Sequence, residues 1–120
     1  MIPRRIRAAI ATFRNPVAQS PLDFAFGGTV WPGLAKLSEE GGEVQQVLAK
    51  LIQTGGDPNH WSGDLVEKLV EEIPDLVAAI RVFIALNPIL HPHREAMRDR
   101  VEMKVDRFYS WHFTTLAARS

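Results

Sequence analysis

The chain has 120 residues, 14 basic and 14 acidic, and no cysteine. That length suits one domain around a single core, the balanced charge leaves no whole-molecule field for nucleic acid or an anionic membrane, and the missing thiols exclude disulfides and thiolate metal sites. No apolar run approaches a membrane span, so a soluble protein of a reducing compartment, the cytoplasm, is the expectation.

Met1 to Gln19 carries Arg4, Arg5, Arg7 and Arg14 without an acid, around Ile2, Ile6, Ala9, Ile10, Phe13 and Val17 at helical spacing. A first helix or loose arm is favoured over a targeting presequence, because serine is scarce and no cleavage-like site follows. Pro16, Pro21, Gly27, Gly28, Pro32 and Gly33 then break the chain, predicting loop from Asn15 to Gly33. Residues 1–30 are therefore read as a basic segment and loop, and residues 31–120 as the folded domain. Phe24, Phe26 and Trp31 in that loop are expected to cover the core rather than form a lid.

A first acidic helix is predicted from Pro32 to Thr54, ended by Gly55-Gly56. Gly41-Gly42 inside it costs up to about 1 kcal/mol per residue relative to alanine. Either another backbone or a ligand comes close there, or the pair is a tolerated weak spot. Asp57 to Gly63 reads as a polar turn holding His60 and Trp61, whose indole either plugs the bundle or meets a ligand.

Ser62 or Asp64 caps the second acidic helix, with Glu67 placed for a reciprocal cap to Asp64. The pattern runs to Leu86, where Asn87-Pro88 stops it. Pro74 removes the amide that would bond the carbonyl of Val70, predicting a kink or widened turn between Glu72 and Asp75. After His91-Pro92-His93, a last helix from Pro92 to Leu116 aligns Met97, Val101, Val105 or Lys104, and Phe108 on one side. Arg94, Arg98, Arg100 and Arg107 read as a solvated face, and His91 with His93 makes a weak metal pair. His60 and His112 are noncommittal. No P-loop, dinucleotide fingerprint, nucleophile elbow or Glu-x-x-His pair is present.

The two acidic helices carry the chemistry. Glu40 and Glu43, and again Glu72 and Asp75, stand three apart, which sets each pair on one helix face. At about 100° per residue, Leu37, Gly41, Val44, Leu48 and Leu51 form an apolar stripe with Glu40 inside its edge and Val47 beyond. Leu69, Ile73, Leu76, Ile80 and Phe83 form the second, with Glu72 placed likewise and Ala79 beyond. The runs superpose at an offset of 32, matching Lys36 with Lys68, Glu40 with Glu72 and Glu43 with Asp75. A core-facing carboxylate costs several kcal/mol unless it is paired, hydrogen-bonded or metal-bound. Repeating that cost at matched positions points to a shared cation.

Glu40-x-x-Glu43, a gap of 28 residues, then Glu72-x-x-Asp75 resembles the signature of the all-α nucleoside triphosphate pyrophosphohydrolases, the MazG-like superfamily. The run Leu34 to Val44 looks like that family's first metal helix, and Lys104 to His112 is similar to its lysine-led closing segment. The resemblance covers roughly residues 31–112. Pro74 stands where relatives carry a helix-forming residue, and residues 1–30 match nothing in the family.

The resemblance implies an all-α bundle of the MazG-like type, completed by a homodimer or homotetramer, that cleaves (d)NTP to (d)NMP and pyrophosphate with Mg²⁺, or Mn²⁺ in its place. It implies Glu40, Glu43, Glu72 and Asp75 as metal ligands, and Glu39 or Glu71 as orienter or general base. Lys36 and Lys104, with Arg107, would neutralise phosphate charge in the transition state, and Trp31, Trp61 or Trp111 would flank the base. Two rivals stand beside it: a noncatalytic helical partner-binding module with a structural metal site, and a sister enzyme such as phosphoribosyl-ATP pyrophosphohydrolase. A degenerate module is expected to have lost at least one acid, and none is missing.

Overall fold

The computed structural model describes residues 17–25 and 27–120. The readings of Met1 to Pro16 as helix, arm or presequence, and of Phe26 as a core aromatic, lie outside the described residues. The chain is mainly helical and divides into two units, the first running to Ile89 and the second spanning Leu90–Ser120. In order come a 3-10 turn (Pro21–Phe24), α1 (Leu34–Gln53), a hairpin of β1 (Asn59–His60) and β2 (Gly63–Asp64), α2 (Leu65–Leu86), a second 3-10 turn (Pro88–His93) and α3 (Arg94–Arg119). Among the described residues, no single helix is long and apolar enough to cross a membrane.

The helix ends follow local chemistry. Asp64 accepts hydrogen bonds from the amides of Val66 and Glu67 and so caps α2. At the end of α1 the amide of Gly56 bonds the carbonyl of Leu51 and that of Gly55 the carbonyl of Ile52, a Schellman closure. α1 begins two residues later than expected. Pro32 stays outside it, because Gly33 takes a left-handed φ of 87° and sits against Phe83, whose Cα is 3.4 Å from where a Cβ would be. α2 runs uninterrupted through Pro74. Val70, whose carbonyl loses its partner, is largely exposed, so water can take the bond.

α1 and α2 pack as an antiparallel pair. Pro32 and Gly33, just before α1, meet Asn87 and Phe83 at the end of α2, while Lys50 and Lys68 meet the same hairpin serine. Asn87 is fully buried and donates from Nδ2 to the carbonyls of Pro32 (2.9 Å) and Phe83 (2.6 Å), tying the entry of α1 to the exit of α2. Trp31, at a strained φ of 45°, stacks on Phe83 at 6.0 Å. It remains 36 % exposed, as does Phe24, so these aromatics border the core without entering it.

The core is thin: Val30, Val47, Leu65 and Ala79 are the buried apolar residues among those described. This shifts both helix stripes from their expected centres. α1 turns Glu40 and Val47 inward, and α2 turns Leu65 and Ala79 inward. Leu48, Ile73 and Ile80, expected at the centre, are more than a third exposed. The true axis thus passes through Glu40 and Val47 on α1 and through their offset-32 mates, Glu72 and Ala79, on α2. The repeat places the carboxylates at the middle of the contact, not at its edge.

The second unit is built differently. α3 starts at Arg94, not Pro92, and contains no buried residue. Its aromatic side chains associate along the helix, Phe108 with Trp111 and Tyr109 with Phe113.

Candidate metal centre

One carboxylate from α1 and two from α2 converge. Oxygens of Glu40, Glu72 and Asp75 lie within 4.8 Å of one another. Antiparallel packing produces this directly, because Glu40 and its repeat mate Glu72 face each other where the two helices cross. The Glu40 side chain is only 8 % exposed and takes an ion pair from Lys36 Nζ at 2.8 Å, one turn before it. Lys36 also reaches Glu39 at 3.5 Å. The Lys36 ammonium is held above its ordinary pKa, chiefly by its hydrogen bond to Glu40.

Among the described residues, Glu72 has no such partner. Its carboxyl is raised above the ordinary carboxylate value, first by desolvation, then by the charges of Glu43, Glu40, Asp75 and Glu71 in that order. Glu43 therefore stands outside the three-oxygen cluster, yet it exerts the strongest carboxylate repulsion on Glu72. The donor set suits a hard divalent cation: oxygen ligands only, from two rigid helices, with one buried acid. A cation there would also relieve the repulsion that raises Glu72.

Beside the carboxylates opens a cavity of about 570 Å³. Lys36, Glu40 and Asp75 form its polar end, and Phe24, Ala79, Val82 and Leu86 line its apolar part. The loop before α1 closes it with Gly27 and Gly28. The cavity thus joins an acidic, cation-ready end to an apolar slot.

The remaining expected site residues fall elsewhere. Glu39 and Glu71 are exposed, each next in the chain to a carboxylate of the cluster, and Glu39 lies 3.5 Å from Lys36. Trp31 is near the cavity loop but is taken up by Phe83. Trp61 is 93 % exposed at the hairpin tip, which overturns its reading as a plug: a two-residue connection between β1 and β2 holds the ring away from both helices. Lys104 and Arg107 lie on α3 in the second unit, where Lys104 Nζ sits over the Phe108 ring at 5.8 Å and Arg107 Nη2 approaches Met103 Sδ at 3.9 Å. Trp111 is on the same helix.

One group escaped the sequence reading. Ser62, weighed only as a helix cap, accepts from Lys68 Nζ at 3.0 Å and Lys50 Nζ at 3.4 Å and contacts His60 Nδ1 at 2.6 Å. The one signal for it was the repeat itself, which makes Lys68 the counterpart of Lys36. Comparison with protein-family models, curated proteins and solved structures found no match.

Proposed function

We propose that the chain is a divalent-metal-dependent nucleoside triphosphate pyrophosphohydrolase of the MazG-like kind, releasing a nucleoside monophosphate and pyrophosphate. The observation that carries this reading is the convergence of Glu40, Glu72 and Asp75 beside a cavity to which Glu40 and Asp75, with Lys36, give a polar end and which is otherwise mostly apolar. An anionic polyphosphate approaches a carboxylate cluster only through bridging cations, and an apolar slot next to it suits a nucleobase.

Glu40, Glu72 and Asp75 would hold the metal, with Glu43 the next nearest acid. Bound there, Mg²⁺ or Mn²⁺ supplies charge neutralisation and a polarised water. Lys36, at the junction of cluster and cavity, faces phosphate oxygens once Glu40 no longer needs its charge. Desolvation of Glu40 by the helix contact strengthens its hold on a cation and keeps its geometry fixed. Glu39 and Glu71, more exposed than Glu43, are weaker candidates for the base, and among the carboxylates Glu43 acts most strongly on Glu72.

A second copy completes the bundle. α2 exposes Val66, Val70, Ile73, Val77 and Ile80 at alternating spacings of four and three, a seam of heptad type. On the same side of the helix pair, α1 exposes Leu48 and Ile52. Glu67 and Arg81 flank the seam near its two ends, so an antiparallel second α2 places each glutamate opposite the other copy's arginine. The patch is apolar and self-complementary, as a twofold interface requires.

The decisive experiment is incubation with a panel of ribo- and deoxyribonucleoside triphosphates and Mg²⁺ or Mn²⁺, reading monophosphate and pyrophosphate. Turnover of at least one member, lost in Asp75→Asn and Glu72→Gln with helicity intact, is expected. No turnover of any member by the wild type would overturn the catalytic reading in favour of a binding module.

A further inference from the structure

The offset-32 repeat makes Lys36 and Lys68 equivalent, and each precedes a glutamate by four residues. Lys36 uses that spacing and pairs with Glu40. Lys68 turns from Glu72 and donates to Ser62 Oγ at 3.0 Å, where Lys50 arrives from α1 at 3.4 Å. Among the described residues, neither lysine has a carboxylate within ion-pair distance. Two ammonium groups thus share one neutral oxygen, an arrangement that mutual repulsion opposes.

The hairpin is shaped for it. Ser62 donates its amide to His60 Nδ1 at 3.1 Å, which makes that nitrogen an acceptor and directs the hydroxyl hydrogen to it as well. The two lone pairs of Oγ are left for the two lysines. Gly63 adopts φ 129°, a conformation that favours glycine and makes the turn, and Lys68 Cε packs in ordinary contact distance of it. Each ammonium retains two further donors. His60 is tilted against Trp61, whose ring is open to solvent.

Position along the helices gives this group its meaning. Lys36, Glu43 and Lys50 are seven apart on α1, and Lys68, Asp75 and Val82 are seven apart on α2, so each trio shares one helix side. Antiparallel pairing sets Lys36 beside Val82 at the cavity, Glu43 beside Asp75 in the middle, and Lys50 beside Lys68 at the hairpin. Cavity, carboxylates and lysines follow one another on a single flank, with about 10 Å of helix between successive stations.

We propose that Lys50 and Lys68, held by Ser62 in the β1–β2 hairpin, form an oxyanion site for the distal phosphoryl groups of the polyphosphate, and so for the pyrophosphate it leaves. The ligand's identity rests on the pyrophosphohydrolase reading; the site itself rests on the paired ammonium groups. It fixes the polarity of the substrate, base toward Phe24 and Leu86 and phosphate tail toward the hairpin.

Titration calorimetry with inorganic pyrophosphate, in chelator and without divalent ions, tests the site apart from catalysis. Wild type should bind, Lys50→Met and Lys68→Met should each weaken binding tenfold or more, and Asp75→Asn should bind at least as well as wild type. Melting without ligand separates function from architecture, since removing one of two repelling charges should leave the melting temperature of Lys68→Met unchanged or raised. Absence of binding by wild type, or binding by either lysine variant as tight as that of wild type, overturns the proposal; so does a lowered melting temperature of Lys68→Met with binding intact, which marks a purely structural tie. Pyrophosphate binding that needs the lysines, in a protein that turns over no nucleotide, would sink the catalytic reading alone.

Discussion

Glu72 carries the clearest electrostatic signature of the cluster. Because its folded pKa lies above the ordinary value, the native chain holds a proton that the unfolded chain has released, and stability falls as pH rises through the window between the two values. Below that window the penalty is absent, and above it the penalty is complete. In chelator, Glu72→Gln should therefore be more stable than wild type at neutral pH, with the difference vanishing as pH drops below the ordinary carboxylate range. Denaturant melts at stepped pH read this directly, and a pH-independent difference would contradict it. Lys36 supplies the opposite test. Lys36→Met leaves the buried Glu40 carboxylate without its cation and should lower the melting temperature, by less than breaking a fully buried pair would, because the lysine is half in water. Added Mn²⁺ should then raise the melting temperature of the variant more than that of wild type, since the ion replaces the missing charge.

At the scale of the element, caps were legible and stripe centres were not. Asp64 and the Asn87-Pro88 stop were readable because local chemistry decides them: a carboxylate reaches its own helix amides, and a proline cannot continue a helix. Asp64→Ala should accordingly cost about 1 kcal/mol in chemical denaturation. The stripe centres shift because the largest apolar side chains do not mark the inward direction. In the first unit many of them face a side that no described segment covers, while Val47, Ala79 and the glutamates occupy the contact. The hairpin was hidden because strands of two residues carry no periodicity. Its Ser62 cluster is assembled across α1, the turn and α2, so no local window contains it. For Gly41 and Gly42 the sequence allows either a close approach or a weak spot. A Cβ at either would meet nothing within 4 Å among the described residues. Gly42, on the outer side of α1, is therefore a weak spot, and Gly42→Ala should stabilise by about 0.5–1 kcal/mol. Gly41 lies on the apolar flank with Leu48, where a second copy would pass.

At the scale of the molecule, the four buried apolar side chains among the described residues are few against the five half-exposed ones that α2 alone presents to solvent. Fully burying a Val or Ile side chain is worth about 1.5–3 kcal/mol, so covering those residues adds several kcal/mol to a thin core. Association through α2 predicts a dimer by sedimentation or light scattering. Ile73→Glu, at the middle of the seam, buries two carboxylates next to each other across the twofold and should give a monomer that keeps its helicity. The rim predicts the geometry as well. Glu67→Lys should weaken the dimer by setting lysine against arginine at both ends, and adding Arg81→Glu should restore it, because the swapped pairs again attract in the antiparallel arrangement. A parallel seam places Glu67 against Glu67 and Arg81 against Arg81, so the single charge reversal would leave repulsion as it was and the double variant would gain nothing. Monomeric wild type across the accessible concentration range would remove the seam as an interface, and failure of the double variant to recover would reject its antiparallel sense.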